Sequence, residues 1–222
     1  MTDIVLQLAL AVIPAILAIT LHEAAHGYAA LALGDDTARL AGRLSLNPLR
    51  HVDRVGTILL PGFLLVFQLL TIHQVLFMFG WAKPVPVATS ALRNPRRALV
   101  WVAFAGPAAN ILMAVVWSAL LALIARTHGN RALIDWLALM AQAGIWVNGM
   151  LAVFNLLPIP PLDGGKILTG LLPPQWGERL RRIEPFGVFL VLGLSLLRGF
   201  DWLFVPAFRG MTRLIIWLGG AA

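Results

Sequence analysis

Long apolar runs separated by short polar segments make up most of this chain. Four of them lie at about 4–33, 57–80, 98–125 and 134–158, and a fifth begins near Phe186. An α-helix of about 20 apolar residues is long enough to cross the hydrocarbon core of a bilayer. The pattern therefore predicts an all-α polytopic membrane protein, in which one domain, 1–222, forms a bundle of about 4–6 transmembrane segments.

Strand and turn signals lie mainly between the first and third runs. TARLAGRLSLNP, at 37–48, alternates weakly between apolar and polar residues, which predicts a short strand pair. The prolines of GWAKPVPV, at 80–87, suit an edge strand. We therefore expect region 34–97 to combine short membrane-associated β-strands with a re-entrant element. At the C-terminus we expect a helix at about 186–206, and the tail 207–222 is amphipathic, as in helices that lie at a membrane interface.

Composition and charge exclude two classes of protein. Hydrophobic residues make up 59% of the chain and charged residues only 12%, too few to keep a soluble domain of this size dispersed. The net charge of +7 does not indicate nucleic-acid binding, because the basic residues lie in short loops between apolar runs. The first run follows no basic residue and is too long for a signal peptide, so we expect no removable leader. Since cysteine is absent, a metal ion must be held by histidine and carboxylate ligands.

The motif LHEAAHG, within the first run, carries the strongest chemical signal. His22 and His26 are four residues apart, so on a helix they share one face and can hold one metal ion. Glu23 directly follows the first histidine, which is the position of a general base in such motifs. Three ionisable side chains in one turn of a membrane helix are costly, and they persist where they bind an ion or line a watery cavity. A catalytic zinc ion takes three protein ligands, so a third ligand must lie elsewhere.

Several residues are candidates for the third ligand. They are the few acidic residues, Asp163 foremost, and the histidines His51, His73 and His128. Asp163 follows NLLPIPPL, whose prolines stop the fourth helix, and precedes Gly164-Gly165, which allow a tight turn that presents one carboxylate at or near the membrane. On spacing alone, Asp163 could equally be the N-cap of the helix that follows.

Several segments together resemble the site-2 protease family of intramembrane zinc metalloproteases, in its compact bacterial branch without PDZ or CBS domains. They are HEAAH, NLLPIPPLDGG, GDDTARLAGRLSLNPLRHVDRVGT, and GWAKPVPV followed by AGPAAN, and the resemblance covers about 15–185. It implies that His22, His26 and Asp163 bind one zinc ion (Zn2+) per chain. It also implies that Glu23 is the catalytic glutamate and that Asn155 helps to hold the substrate or the oxyanion.

The function that this resemblance implies is regulated intramembrane proteolysis. The chain would be an endopeptidase that hydrolyses transmembrane or membrane-proximal segments of membrane-spanning protein substrates in the lipid bilayer. Alternatives are a membrane metal transporter, which would spread polar residues over several helices, or an inactive protease-like scaffold, which would lack Glu23. Another class of metalloprotease would use a glutamate as third ligand, but Glu178 and Glu184 lie among arginines in an expected surface loop. Homo-oligomerisation stays open, and no nucleic-acid partner is expected.

Two further polar residues receive structural interpretations. Asn110, in AGPAAN, is expected to hydrogen-bond between helices where Gly106 and Ala109 allow a close approach, with a direct catalytic role as the alternative. His51 is a loop residue that we expect at the membrane interface, with a regulatory or substrate-side role as the alternative.

The metal motifs also constrain the topology. His26 lies toward the C-terminal end of the first helix and Asp163 just beyond the end of the fourth, so these two helices must run in the same direction. The run 57–80 therefore cannot cross as a single span and is expected to return to its own side. The basic residues then collect in loops on one side, as the positive-inside rule requires. We expect a multi-pass protein of the cell membrane, with the active site toward the cytoplasm and the N-terminus outside.

Overall fold

The computed structural model describes residues 2–74, 80–196 and 201–221, and within these ranges the chain is mostly helical. The α-helices are α1 (Thr2–Ala32), α2 (Thr37–Leu40), α3 (Leu60–Thr71), α4 (Pro95–Ile124), α5 (Arg131–Asn155), α6 (Asp163–Leu171), α7 (Pro174–Ile183), α8 (Gly187–Leu196) and α9 (Asp201–Leu218). A π-helical segment, Arg54–Leu59, leads into α3, and short 3-10 turns lie at Pro48–Arg50, Thr89–Ala91 and Glu184–Phe186.

Four helical stretches of the described chain are long and apolar enough to cross a membrane. They are Ala9–Ala32, Arg54–Thr71, Pro95–Ile124 and Arg131–Asn155. The helical membrane fold predicted from the apolar runs is therefore confirmed, with four candidate spans in the described ranges.

Proline and asparagine residues set the ends of the two central helices. Asn94 adopts a left-handed conformation (φ 58°), and Pro95 begins α4, where the missing N–H leaves no hydrogen bond unmade. Asn130 caps α5, because its side chain accepts a hydrogen bond from a backbone N–H of the first turn. Pro158 lies just beyond the other end of α5 and prevents its continuation. As a result α5 ends close to the segment that carries Asp163.

Small residues line the contacts between the helices of the bundle. α4 lies at its centre and packs against α1, α5, α6 and α9. A Cβ atom on Gly144 of α5 would lie 2.4 Å from the Trp117 ring of α4, so this crossing requires glycine. Close approach of backbones is how helices associate in a membrane, where lipid is as apolar as the side chains. The buried alanines of the bundle include Ala18, Ala30, Ala98, Ala114, Ala141 and Ala152.

The predicted strand pair at 37–48 is wrong, and no β-strand lies among the described residues. This segment begins with α2 and ends where the 3-10 turn Pro48–Arg50 starts. Its polar backbone groups are bonded largely to side chains or within the turns: the Asp35 carboxylate accepts from the Thr37 N–H at 2.9 Å, and Arg50 donates to the Gly42 carbonyl. Side chains that satisfy nearby backbone groups compete with a β-ladder, and weak alternation in the sequence does not reveal them.

The segment 81–88 has no regular secondary structure, and it too pairs with no strand in the described ranges. The Lys83 N–H donates to the His51 carbonyl at 2.9 Å, and the Arg43 guanidinium donates to the Lys83 carbonyl at 2.8 Å. Its two prolines have no N–H to contribute to a ladder. The expected edge strand is therefore replaced by an irregular segment that is bonded to the loop residues His51 and Arg43.

The two ends of the 57–80 run lie side by side. The Trp81 N–H donates to the Gly56 carbonyl at 3.1 Å, and the Thr57 hydroxyl donates to the Trp81 carbonyl at 2.8 Å. Residues 75–79, within the run, lie outside the described ranges. This adjacency is what the re-entrant interpretation requires, because a single crossing would separate the two ends. The side of the membrane that they face stays a prediction.

Most of the range 186–206 predicted as the C-terminal helix is helical, and the helical structure continues beyond the predicted end. α8 covers Gly187–Leu196 and α9 covers Asp201–Leu218, and residues 197–200 between them lie outside the described ranges. The tail 207–222, predicted to lie at a membrane interface, belongs to α9 as far as Leu218. Its Ile215 is fully buried against α4 and α5, so part of the amphipathic pattern reflects packing on the bundle.

Candidate metal centre

Three of the residues predicted from the sequence meet inside the bundle. His22 and His26 lie one turn apart on α1, and their Nε2 atoms are 3.1 Å apart. Asp163 extends Oδ2 to 3.1 Å from both of these nitrogen atoms. All three side chains are buried, and their ligand atoms all lie within 4.8 Å of one another. The structure thus forms a group that could hold a metal ion from residues 137 positions apart in sequence.

The hydrogen bonds on the far side of each imidazole test whether a metal ion fits. His26 Nδ1 lies 2.7 Å from the Val102 carbonyl, which can only accept, so this nitrogen carries the proton and Nε2 of the neutral ring keeps its lone pair. His22 Nδ1 is engaged in the same way, 2.6 Å from Asn110 Oδ1. Two lone pairs and a carboxylate oxygen then face one another, an arrangement that a cation stabilises. Two imidazoles and one carboxylate are a ligand set of catalytic zinc sites, so the donor set fits zinc.

Two glycines bring Asp163 to the histidines. A Cβ atom on Gly164 would lie 2.3 Å from the Leu156 carbonyl oxygen, and one on Gly165 would lie 2.4 Å from the Pro160 nitrogen. α6 can therefore begin directly against the end of α5. Asp163 is the first residue of α6, and the N-cap of this helix is Leu162. The alternative interpretation of Asp163 as the N-cap is therefore wrong.

Lys166 forms an ion pair with the outer oxygen of the same carboxylate. Its Nζ lies 3.0 Å from Asp163 Oδ1, while Oδ2 faces His22 and His26. The positive charge of Lys166 favours the ionised form of this carboxylate. The carboxylate is therefore ionised, as a metal ligand must be.

Glu23 lies beside the three-residue group without joining it. Its Oε2 accepts a hydrogen bond from the Val85 N–H at 3.0 Å. Glu23 lines the same cavity as His22, His26 and Asp163, with a volume of about 460 Å³. The predicted role of Glu23 as the catalytic glutamate stays a prediction.

Asn155, the last residue of α5, also lines this cavity. Its amide nitrogen donates one hydrogen bond to the Leu151 carbonyl at 3.0 Å. An asparagine amide has a second N–H, which can serve a substrate oxygen. Its substrate or oxyanion role stays a prediction.

Gly106 of α4 forms the surface against which both imidazoles lie. A Cβ atom at this position would be 2.4 Å from His26 Nε2 and 2.6 Å from His22 Cε1. The close approach expected at Gly106 is therefore confirmed, and the partner that requires it is the histidine pair. The interhelical hydrogen bond expected of Asn110 is also confirmed, since it bonds to His22 of α1.

The remaining candidates for a ligand do not join this group, although Glu184 lines the same cavity. His51, expected at an interface, is buried, and its Nε2 donates to the Ser45 carbonyl at 2.7 Å, so it is a loop-stabilising residue. Glu178 pairs with Arg181 at 2.8 Å, away from the histidines. Among the described residues, the only group of three or more histidine and acidic side chains close enough to hold a metal ion is His22, His26 and Asp163.

Sequence comparisons agree with this site. The sequence profile of Peptidase family M50 matches residues 122–194, which include Asn155 and Asp163. YwhC of Bacillus subtilis is 40% identical over 186 residues, 82% of this chain and 78% of that protein. Rip2 of Mycolicibacterium smegmatis is 28% identical over 215 residues, 92% of this chain and 76% of that protein. Both are named as candidate zinc metalloproteases, and no solved structure matches the chain.

The apolar helices and the comparisons together define a membrane-embedded metalloprotease, a hydrolase. The chain belongs to peptidase family M50, the site-2 protease family.

Proposed function

We propose that this protease hydrolyses peptide bonds in transmembrane or membrane-proximal segments of membrane proteins, with one zinc ion per chain. The convergence of His22, His26 and Asp163 beside Glu23, in one cavity of a bundle of apolar helices, carries this proposal. The three residues would hold the ion. When bound, zinc supplies a Lewis acid that polarises a carbonyl and lowers the pKa of water.

Glu23 and Asn155 would perform the remaining steps. Glu23 takes a proton from the attacking water and delivers it to the leaving amine. The hydrogen bond from Val85 limits the rotation of the Glu23 carboxylate, so the base is oriented before the substrate binds. Asn155 donates its second amide N–H to the oxyanion that develops on the scissile carbonyl. Family membership and the presence of Glu23 in the cavity favour this function over a metal transporter or an inactive scaffold.

The substrate segment must unwind locally, because a transmembrane helix hides its peptide bonds in its own hydrogen bonds. Pro84, Val85 and Val87 of the segment 81–88 line the cavity, so an unwound substrate would lie beside them. The N–H groups of Lys83, Val85 and Ala88 are already engaged. This segment therefore offers a substrate fewer backbone donors than an open strand edge would.

The proposal is tested by where cleavage occurs in substrates. Membrane proteins of cells that carry the wild type or Glu23→Gln would be compared by mass spectrometry of new termini. We expect termini that depend on Glu23 to fall within or next to membrane segments. Glu178→Gln, which removes only exposed ion pairs with Arg181 and Arg182, should leave them unchanged. Termini confined to soluble regions would overturn the proposal.

We also propose that the active site faces the cytoplasm of a cell membrane. The chain has no cysteine, so single cysteines can be labelled without background. An impermeant thiol reagent added to intact cells should miss Val55→Cys and Thr89→Cys, and should reach His128→Cys in the opposite loop; all three positions are exposed. After permeabilisation all three should react. Labelling of position 89 from outside, but not of position 55, would contradict the re-entrant topology.

A further inference from the structure

Two asparagines lie fully buried in the central helices, behind His22. Asn110 is on α4 and Asn148 is on α5, in the middle of stretches apolar enough to cross a membrane. Amide side chains are costly to bury there unless they are hydrogen-bonded. Asn148 has no role in the proposed reaction. Its burial among apolar residues therefore requires another explanation.

Their hydrogen bonds form one chain across three helices. Asn148 Nδ2 donates to the Gly144 carbonyl of its own helix at 2.9 Å. Asn110 Nδ2 donates to Asn148 Oδ1 at 3.0 Å and to the Ala18 carbonyl of α1 at 3.2 Å. Asn110 Oδ1 lies 2.6 Å from His22 Nδ1. The chain thus runs from a backbone carbonyl to the imidazole of His22.

The two backbone carbonyls fix the direction of every bond in this chain. An amide can be turned so that its oxygen and nitrogen exchange places, but a backbone carbonyl can only accept. The Gly144 carbonyl therefore orients Asn148 with its oxygen toward Asn110. The Ala18 carbonyl independently orients Asn110 with its nitrogen away from His22. The atom that faces His22 is then an oxygen, so His22 Nδ1 must donate and Nε2 of the neutral ring must carry the lone pair.

We propose that Asn110 and Asn148 are positioning residues, which hold His22 in the tautomer and ring orientation that direct its Nε2 lone pair toward the metal. We call the hydrogen-bonded chain from Asn148 through Asn110 to His22 the relay. His26 has no relay, because the Val102 carbonyl performs the same task directly. The proposal rests on the proposed metal centre of His22, His26 and Asp163. It adds that the affinity of this centre is set partly on α5, by a residue that does not contact the metal ligands.

Zinc affinity separates this role from simple stabilisation of the helix contacts. In purified protein, competition with a chromophoric chelator should show about 10–100-fold weaker zinc binding for Asn110→Leu, the usual effect of losing the outer partner of a ligand. Asn148→Leu should have a smaller effect, since the Ala18 carbonyl still orients Asn110. Asn110→Asp should bind zinc within a few-fold of wild type, because a carboxylate also accepts from Nδ1, although it unfolds more easily.

Ser118→Ala provides the matched control. Its hydroxyl is also buried on α4, but it has no hydrogen-bond partner among the described residues, so zinc affinity should not change. If Asn110→Leu binds zinc as tightly as wild type while His22→Ala does not, the relay is overturned and the metal centre stands. If the wild type binds no zinc, the proposed metal centre itself fails.

The tautomer gives a readout that does not depend on activity. Spectra of histidine-labelled wild type, measured by 1H–15N NMR at alkaline pH, should show the His22 proton on Nδ1, with His22→Gln identifying the signal. A proton on Nε2 of His22 would overturn the proposal. In Asn148→Leu the Nδ1 proton should exchange faster with water than in the wild type, and unchanged exchange would remove Asn148 from the relay.

Discussion

Two regions of the molecule bury histidine and aspartate side chains to a similar extent and use them differently. At the metal centre, His26 is 8% and Asp163 is 4% exposed. In the loop region, which we define as 34–53 with 80–94, His51 is 2% and Asp35 is 0% exposed. Burial of these residue types therefore does not distinguish a functional site from a structural support.

Hydrogen-bond partners do distinguish the two regions. Asp35 accepts from the N–H groups of Thr37 and Ala88, at 2.9 and 2.7 Å, and His51 donates to a backbone carbonyl. Both of these buried side chains meet backbone groups of the opposite kind, although His51 Nδ1 has no hydrogen-bond partner among the described residues. At the centre, Asp163 Oδ2 instead meets the Nε2 atoms of two imidazoles whose Nδ1 atoms are already engaged. A buried group of facing acceptors indicates an ion site, because backbone partners would have satisfied a purely structural one.

The largest expected effect comes from Glu23, which belongs to neither kind of group. Glu23→Gln keeps the size and the hydrogen bond to Val85 but cannot take a proton. Cleavage should fall about a hundredfold to ten-thousandfold, the usual contribution of a general base, while zinc content stays that of the wild type. Peptidase rates and metal analysis of the same preparation would measure both. Activity retained in this variant would remove Glu23 from the reaction.

The next effect compares the two buried aspartates directly. Asp163→Ala should lose most of its zinc, because one of three protein ligands is removed. Asp35→Ala should keep about one zinc per chain and lose stability instead, since its carboxylate serves only backbone groups. Elemental analysis of both purified variants measures the difference. Normal zinc in Asp163→Ala, or its loss in Asp35→Ala, would break the distinction drawn from hydrogen-bond partners.

A smaller effect is expected at Gly106, which touches the centre without contributing a donor. In Gly106→Ala the added carbon would lie 2.4 Å from His26 Nε2, so at least one imidazole must move. Zinc affinity should fall about tenfold or more, as when a ligand loses its outer support. Gly210→Ala on α9 is the control, because a Cβ there has no atom within 4 Å. Equal affinities in the two variants would mean that the centre tolerates a shift of α4.

The centre could be predicted from the sequence because its signals are local. The spacing of His22 and His26 gives a shared helix face, and the prolines and glycines around Asp163 mark a tight turn. The choice of Asp163 over other acidic residues still needed the family resemblance. Asn148 could not be assigned, because its partner depends on how α5 is rotated against α4, which apolar periodicity leaves undetermined.

The loop region could not be predicted because its bonds join distant residues. Arg43 donates to the Lys83 carbonyl, and Asp35 accepts from the Ala88 N–H, across separations of 40 and 53 residues. Alternation within 37–48 is compatible with a strand, and a strand needs a partner ladder to form. In the structure, arginine and aspartate side chains bond backbone groups that a β-ladder would have used. These contacts join residues distant in sequence, so no local pattern predicts them.

The smallest expected effect tests the structural role of Asp35 through pH. Asp35 is covered by its neighbours close to the surface, and lies between α1 and α2, outside the candidate spans. Burial raises its pKa, but the hydrogen bonds from Thr37 and Ala88 outweigh this and leave the pKa below its ordinary value. A lowered folded-state pKa means that ionised Asp35 stabilises the protein above the unfolded-state pKa, and that this stabilisation is lost as pH falls through the folded-state value.

Asp35→Asn can accept through one oxygen only, so it should cost about 1–3 kcal/mol of unfolding free energy at neutral pH. The unfolding free energies of detergent-solubilised wild type and Asp35→Asn should be measured against pH. Their difference should become smaller as pH falls below the ordinary pKa of aspartate. Asp36→Asn is the matched control. Asp36 lies next to Asp35 but forms only an exposed ion pair with Arg39, so its substitution should change stability little at any pH. A gap that widens in acid, or an equal loss in the control, would show that Asp35 is not held by these two N–H groups.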